Sequence, residues 1–153
     1  MKYLGLDLGT QTLGLAITDK LGIISSPYKV LRYDNYDNLI DELISVIEEE
    51  KVDELVLGLP KNMNNSLGFA SERSLNFKSE LEKKCNLKIN LVDERLSTVE
   101  AENILLSTDT SRSKRKKVID AYAACIILDT FLKSKRGWIW KKTEKYLYKI
   151  LMV

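Results

Sequence analysis

Tyr3-Leu4-Gly5-Leu6-Asp7-Leu8-Gly9-Thr10, followed by Leu13-Gly14-Leu15-Ala16-Ile17-Thr18, is the stretch on which the fold turns. The first run is apolar apart from one acid and closes on a glycine. The second begins after a connection too short to hold a helix, so the pair predicts an antiparallel hairpin. An aspartate at the end of a hydrophobic strand is costly to bury unless its charge is used or paired. Asp7 is therefore the first candidate functional residue. Gly9 keeps the following turn uncrowded, so that a ligand can approach the backbone.

Working outward, Ile23 to Leu31 predicts a third strand, and Pro27 within it argues for a sheet edge, where a missing donor is tolerated. The period then changes. Leu39, Ile40, Leu43, Ile44 and Ile47 recur at helical spacing between Asp37 and Glu49, with acids on the other side. Glu54 to Gly58 is a short apolar strand. Pro60, three asparagines and Gly68 mark the stretch from Leu59 to Gly68 as a loop. Phe69 to Lys84 predicts a second amphipathic helix anchored by Leu75, Phe77 and Leu81. Lys88 to Val92 predicts a fifth strand ending at Asp93 and Glu94. Ser97 or Thr98, with Glu100 and Glu102, can start a third helix that runs to about Leu106. Ser107 to Lys114 has no apolar period and is expected to be flexible. A last helix is expected from Arg115 to Lys133, with Val118, Ala121, Cys125, Leu128 and Leu132 as its buried stripe and Ala121, Ala123 and Ala124 permitting close backbone approach.

Three strands in succession, then helices alternating with strands, is an α/β pattern with a five-stranded mixed sheet and crossover helices. Reactive groups in such sheets gather beyond the carboxyl ends of the parallel strands. Asp7, the Gly58 loop and the Asp93-Glu94 pair all fall at those ends.

Composition narrows the chemistry. The chain has 153 residues, enough for a core of its own, with 44% hydrophobic and 30% charged residues. No run approaches the length of an apolar membrane span, and the first residues do not read as a signal peptide. Cys85 and Cys125 lack metal-like spacing and read as two structural thiols of a reducing compartment. Histidine is absent. That excludes histidine triads, imidazole-ligated zinc and histidine general bases, and leaves carboxylates as the candidate chemistry. Asp120, between Ile119 and Ala121 in the last helix, is a third acid on an apolar-to-small surface. Asp7, Glu94 and Asp120 together would repel one another. Two hard divalent ions, about 3.5–4 Å apart, would remove the conflict and serve phosphodiester hydrolysis. Each acid also has a plainer reading: Asp7 as a turn residue, Glu94 paired with Arg95, Asp120 paired with Lys116 or Lys117.

The net charge of +2 is unevenly spread. Arg112, Lys114, Arg115, Lys116 and Lys117 form one run, and further lysines follow from Lys133 to Lys149. Acids dominate the segments from Asp34 to Glu54 and from Asp93 to Glu102. This polarity suggests a polyanionic partner. Arg95, Arg112, Lys114, Arg115 and Lys116 are the candidate phosphate contacts, which position a backbone without reading bases.

These residues resemble the RuvX/YqgF family, described both as Holliday junction resolvases and as pre-16S rRNA nucleases. The likeness runs through the residue 3–9 motif with Gly14-Leu15-Ala16, through Gly58-Leu59-Pro60 with Asn62-Met63 and Ser66, through Val92-Asp93-Glu94-Arg95-Leu96-Ser97-Thr98 with Glu100-Ala101, and through the basic run before Asp120, Ala123-Ala124 and Ile127-Leu128. It covers roughly residues 3 to 132. The resemblance implies an RNase H-like fold with helices on both sheet faces, a cytoplasmic location and a role in maturing the 5′ end of pre-16S rRNA. It implies Asp7, Glu94 and Asp120 as metal-binding and catalytic residues for Mg²⁺ or Mn²⁺, with Asp93 able to support or replace Glu94. Gly9, Thr10, Gly58, Pro60 and Asn62 would shape the site. The implied partners are structured RNA or branched DNA and the ribosome or its precursor, for a monomer or weak homodimer with no membrane association.

Two features depart from the family pattern. Asn64-Asn65 stands where Asp-Gly is usual. The tail from Gly137 to Val153 extends past the usual end, so the expected division is a nuclease domain over residues 1–136 and a basic amphipathic extension over 137–153, packed on the body or projecting from it. Rival readings are a branched-DNA resolvase and a non-catalytic RNA-binding assembly factor. Asp7-Leu8-Gly9-Thr10 also looks like the first phosphate motif of actin-like ATPases and sugar kinases, but those enclose their nucleotide between two such domains.

Overall fold

The structure, a computed structural model, describes residues 1–60, 68–93 and 121–135. The elements are β1 (Tyr3–Leu8), β2 (Thr12–Thr18), β3 (Ser25–Arg32), α1 (Tyr36–Glu50), β4 (Glu54–Leu59), α2 (Phe69–Lys84) and β5 (Ile89–Asp93), followed by α3, helical over residues 121–135. The five strands form one mixed sheet in the order β3-β2-β1-β4-β5. β1 and β2 are the expected hairpin, with Asp7 opposite Gly14 and Leu8 opposite Leu13. β2 pairs antiparallel with β3, whereas β1–β4 and β4–β5 are parallel. β1 is thus the central strand, and parallel neighbours need long crossovers, which α1 and α2 provide.

Alternation along the strands sorts side chains to two faces. Leu4, Leu6 and Leu8 of β1, with Leu13, Leu15, Leu55 and Leu57, face α1 and α2 and pack with Leu39, Ile40, Leu43, Phe77 and Leu81. Tyr3, Ala16 and Val56 face the other way and pack with Ala124, Ile127, Leu128 and Leu132 of α3. Helices therefore cover both faces.

Local signals explain most element ends. Asn35 caps α1, its side chain accepting from the Asn38 amide at 2.9 Å, and Lys51 closes the helix with a left-handed φ of 55°. Pro27 lies on β3, an edge strand, beside a register shift at Leu15 and Ala16. β3 begins at Ser25, two residues later than the apolar run suggests. The Asp19 carboxylate takes the amides of Ile23 and Ile24 at 2.8 and 3.1 Å and holds both in the loop. Those same bonds lower the Asp19 pKa.

The buried face of α2 also differs from expectation. Phe77 and Leu81 are buried, but Leu75 is only half-buried, and Ser71 and Ser74 take the interior positions instead. The Ser71 hydroxyl donates to the Pro60 carbonyl, which ties the start of α2 to the end of β4. Small side chains let the helix sit close there. Cys85 and Cys125 are both free thiols, as expected. No helix among the described residues is long and apolar enough to cross a membrane. The expected helix near residues 97–106, the 107–114 segment, the first turns of the last helix and the 137–153 extension lie outside the described residues.

Candidate active site

Asp7 is the fifth residue of the central strand and lies half-buried near its carboxyl end. Tyr3 and Gly5, two and four positions earlier, face α3, so the alternation sets Asp7 on the α3 side of the sheet. Its flanks on that face carry no side chains. Gly14 lies directly opposite on β2. On β4, the parallel pairing runs as far as Leu6 with Leu57, and the next residue, Gly58, shares a face with Val56. An acid so placed meets no side chain directly beside it from either neighbouring strand on that face.

The turn after Asp7 is held on several sides. The Gly9 amide donates to the Thr12 carbonyl at 2.8 Å, and the Tyr33 amide donates to the Gln11 carbonyl at 3.0 Å. The Tyr33 hydroxyl donates to the Gly9 carbonyl. Burial pushes the Tyr33 phenol above its ordinary pKa, which keeps it a donor. Gly9 has no left-handed φ. Its constraint is space, since a Cβ there would lie 3.2 Å from Thr12 Oγ1. Thr10 is exposed at the tip.

α3 runs antiparallel to β1. Near its end, Phe131 packs edge-on against the Tyr3 ring at 5.2 Å between centroids, and Lys135 Nζ donates to Tyr3 Oη at 2.8 Å. One turn and more earlier, Ala124 and Leu128 sit over Gly5, where a Cβ would come within 2.9 Å of the Ala124 carbonyl oxygen. Followed toward its start, the helix heads for the Asp7 end of β1.

The other strand ends fall beside Asp7 as the topology requires. Gly58 pairs with Val92 and Leu59 with Asp93. Val92 packs on the α3 face, so Asp93, one residue on, turns to the opposite face and is exposed. Pro60 follows β4 directly. Glu94, Arg95, Arg112, Lys114, Arg115, Lys116, Asp120 and Asn62 lie outside the described residues. Among the described residues no three acids, cysteines or histidines gather as a metal site. The donor chemistry at this end nevertheless suits hard divalent ions. It is carboxylate oxygen, with no imidazole in the chain, and Cys125 is held away against Ser25 at the start of β3.

In the sequence Gly14 stands out only as part of a motif. Its place beside Asp7 follows once the hairpin is put in register. Tyr33 carried no signal at all, because its bond to Gly9 depends on how β3 ends relative to the turn.

Fold and site together define an RNase H-like α/β protein with an aspartate at the carboxyl end of its central strand. Residues 1–134 match the RuvX family, described as Holliday junction resolvase, and the chain belongs to that family. It is 46% identical over 138 residues to a protein of Geobacillus kaustophilus named "Putative pre-16S rRNA nuclease", an alignment covering 89% of this chain and all of that one. A Staphylococcus saprophyticus protein of the same name is 47% identical, covering 87% of this chain and 96% of its own length. Among solved structures, Thermus thermophilus RuvC superposes with a TM-score of 0.54 at 13% identity, covering 90% of this chain and 97% of that one. The fowlpox virus Holliday junction resolvase gives 0.51 at 16% identity, covering 88% and 99%. At such identities these two likenesses speak for the fold.

Proposed function

We propose that this chain is a cytoplasmic, metal-dependent nuclease that hydrolyses phosphodiester bonds in maturing the 5′ end of pre-16S rRNA. The observation that carries the chemistry is the setting of Asp7: near the end of the central strand, with Gly14 opposite it and Gly58 beyond the paired part of β4, and with the described part of α3 running toward it. The shared description of relatives at 46% and 47% identity supplies the substrate.

In this reading Asp7, Glu94 and Asp120 hold Mg²⁺ or Mn²⁺. The ions would supply an activated water and charge stabilisation at the leaving oxygen. Strand alternation favours Glu94 over Asp93 as the second carboxylate, since Val92 is on the Asp7 face and Asp93 is not. The direction of α3 favours Asp120, the residue before its described part. Arg95, Arg112, Lys114, Arg115 and Lys116 contact phosphates, and Thr10, Pro60 and Asn62 border the cleft. The catalytic body spans residues 1–136. A monomer suffices to cut one strand, and the partner is the ribosomal precursor that carries the RNA.

Branched-DNA resolution is the second reading, favoured by the family's own description. Labelled precursor rRNA and a labelled four-way DNA junction, each incubated with the protein with and without Mn²⁺, separate the two. We expect a discrete metal-dependent product from the RNA and an uncut junction. Paired nicks in the junction alone would transfer the assignment to DNA. Salt-sensitive binding of RNA with no product would make the chain an assembly factor.

A further inference from the structure

The end of the sheet opposite Asp7 carries an apolar knob. Met1 is 59% exposed, Leu21 74%, Ile23 49% and Ile24 68%. The four belong to one structure: the Met1 ammonium donates to the Lys20 carbonyl at 3.0 Å. Gly22 has a φ of +68°, and a Cβ there would lie 2.6 Å from the Met1 carbonyl oxygen and 3.2 Å from the Tyr3 ring. The loop is therefore firmly seated, and its large side chains still face outward. Four such residues together form a patch of the kind that marks an interaction site.

The described part of α3 stops beside this knob. Lys135 Nζ lies over both the Tyr3 and Phe131 rings, 5.1 Å from each centroid, and Tyr3 is the ring under Gly22. The 18 residues from 136 to 153 thus set out from the knob itself. They carry large apolar side chains of the kind that could cover it. Trp138, Ile139 and Trp140 come first, and Tyr146, Leu147, Ile150 and Leu151 then recur at helical spacing, interleaved with Lys141, Lys142, Lys145 and Lys149. Two carboxylates flank the knob. Asp19 binds the amides of Ile23 and Ile24, and Asp129 accepts from the Ser25 hydroxyl at 2.6 Å. The segment is also an addition to the family plan, because the family match stops at residue 134 and an alignment spanning all of the Geobacillus relative leaves the remainder of this chain uncovered.

We propose that residues 137–153 fold back as an amphipathic helix onto Met1, Leu21, Ile23 and Ile24, with their lysines toward Asp19 and Asp129. The start of the segment is separated from the Asp7 end by the length of α3, about 22 Å at 1.5 Å per residue. The tail therefore closes the far end of the sheet and does not feed the cleft.

Full-length protein with a photo-reactive benzoylphenylalanine at position 24 tests the contact. Irradiation should join position 24 to a peptide within 137–153 of the same chain. Cross-links between two copies, or none to the tail, would overturn the proposal. Melting of full-length Ile24→Asp, Leu147→Asp and the double variant supplies an independent readout. Ile24 is exposed, so its substitution should matter little unless something covers it. Each single change should lower Tm by roughly 3 °C, and the double should fall no further than the larger single. An unchanged Tm in both singles would contradict the docking. Loss of RNA affinity in Leu147→Asp at unchanged Tm would do so too, by giving the tail to the nucleic acid.

Discussion

Gly9 follows the key acid by two positions, and its carbonyl is held by a tyrosine 24 residues further along the chain. Removing that hydroxyl leaves a partly buried acceptor without its donor, at a cost of about 1 kcal/mol. Tyr33→Phe should lower the urea midpoint accordingly, and identical unfolding curves would show that the bond is not what anchors the turn. At this scale the sequence was partly legible. Asp7 stood out because an acid in an apolar strand needs a reason. Gly14 was visible as a glycine, but its role depends on cross-strand register, which a linear reading supplies only after the hairpin is accepted. Asp93 and Glu94 are neighbours in sequence and could not be ranked there. The packing of Val92 on the α3 face sets Asp93 on the opposite one.

The element that covers the Asp7 face of the sheet is α3, and what lets it lie where it does is Gly5. A methyl group there would come within 2.9 Å of a backbone carbonyl and 3.0 Å of Leu128 Cβ. A backbone atom cannot rotate away, so Gly5→Ala must lift the helix or strain the strand. Overpacking of this kind costs about 1–3 kcal/mol. Chemical denaturation of Gly5→Ala should show that loss, and wild-type stability would mean the helix is not so close. The alanines at 121, 123 and 124 had suggested close approach, and all three are buried. The face of α2 was less legible. Leu75 looked like an anchor by hydropathy, yet the tie between Ser71 and Pro60 rotates the serines inward. Side chain to backbone bonds of that sort leave no periodic trace. The start of β3 is hidden for a similar reason, since Ile23 and Ile24 are apolar but held in the loop by Asp19.

Across the whole molecule the two ends of the sheet differ in kind. One end gathers the carboxyl termini of β1, β4 and β5, with Asp7 opposite Gly14. The other bears the exposed knob from which the tail departs. The strand order was readable because each run had a clean period and a clear breaker, and because parallel neighbours demand crossovers. The central claim is that the Asp7 end is the reacting end. Cleavage of labelled precursor rRNA by purified Asp7→Asn protein in Mg²⁺ or Mn²⁺, with the melting curve recorded on the same sample, tests it most directly. A neutral side chain of the same size should leave melting close to wild type and reduce product to the level seen without metal. Cleavage at the wild-type rate by folded Asp7→Asn protein would contradict the assignment.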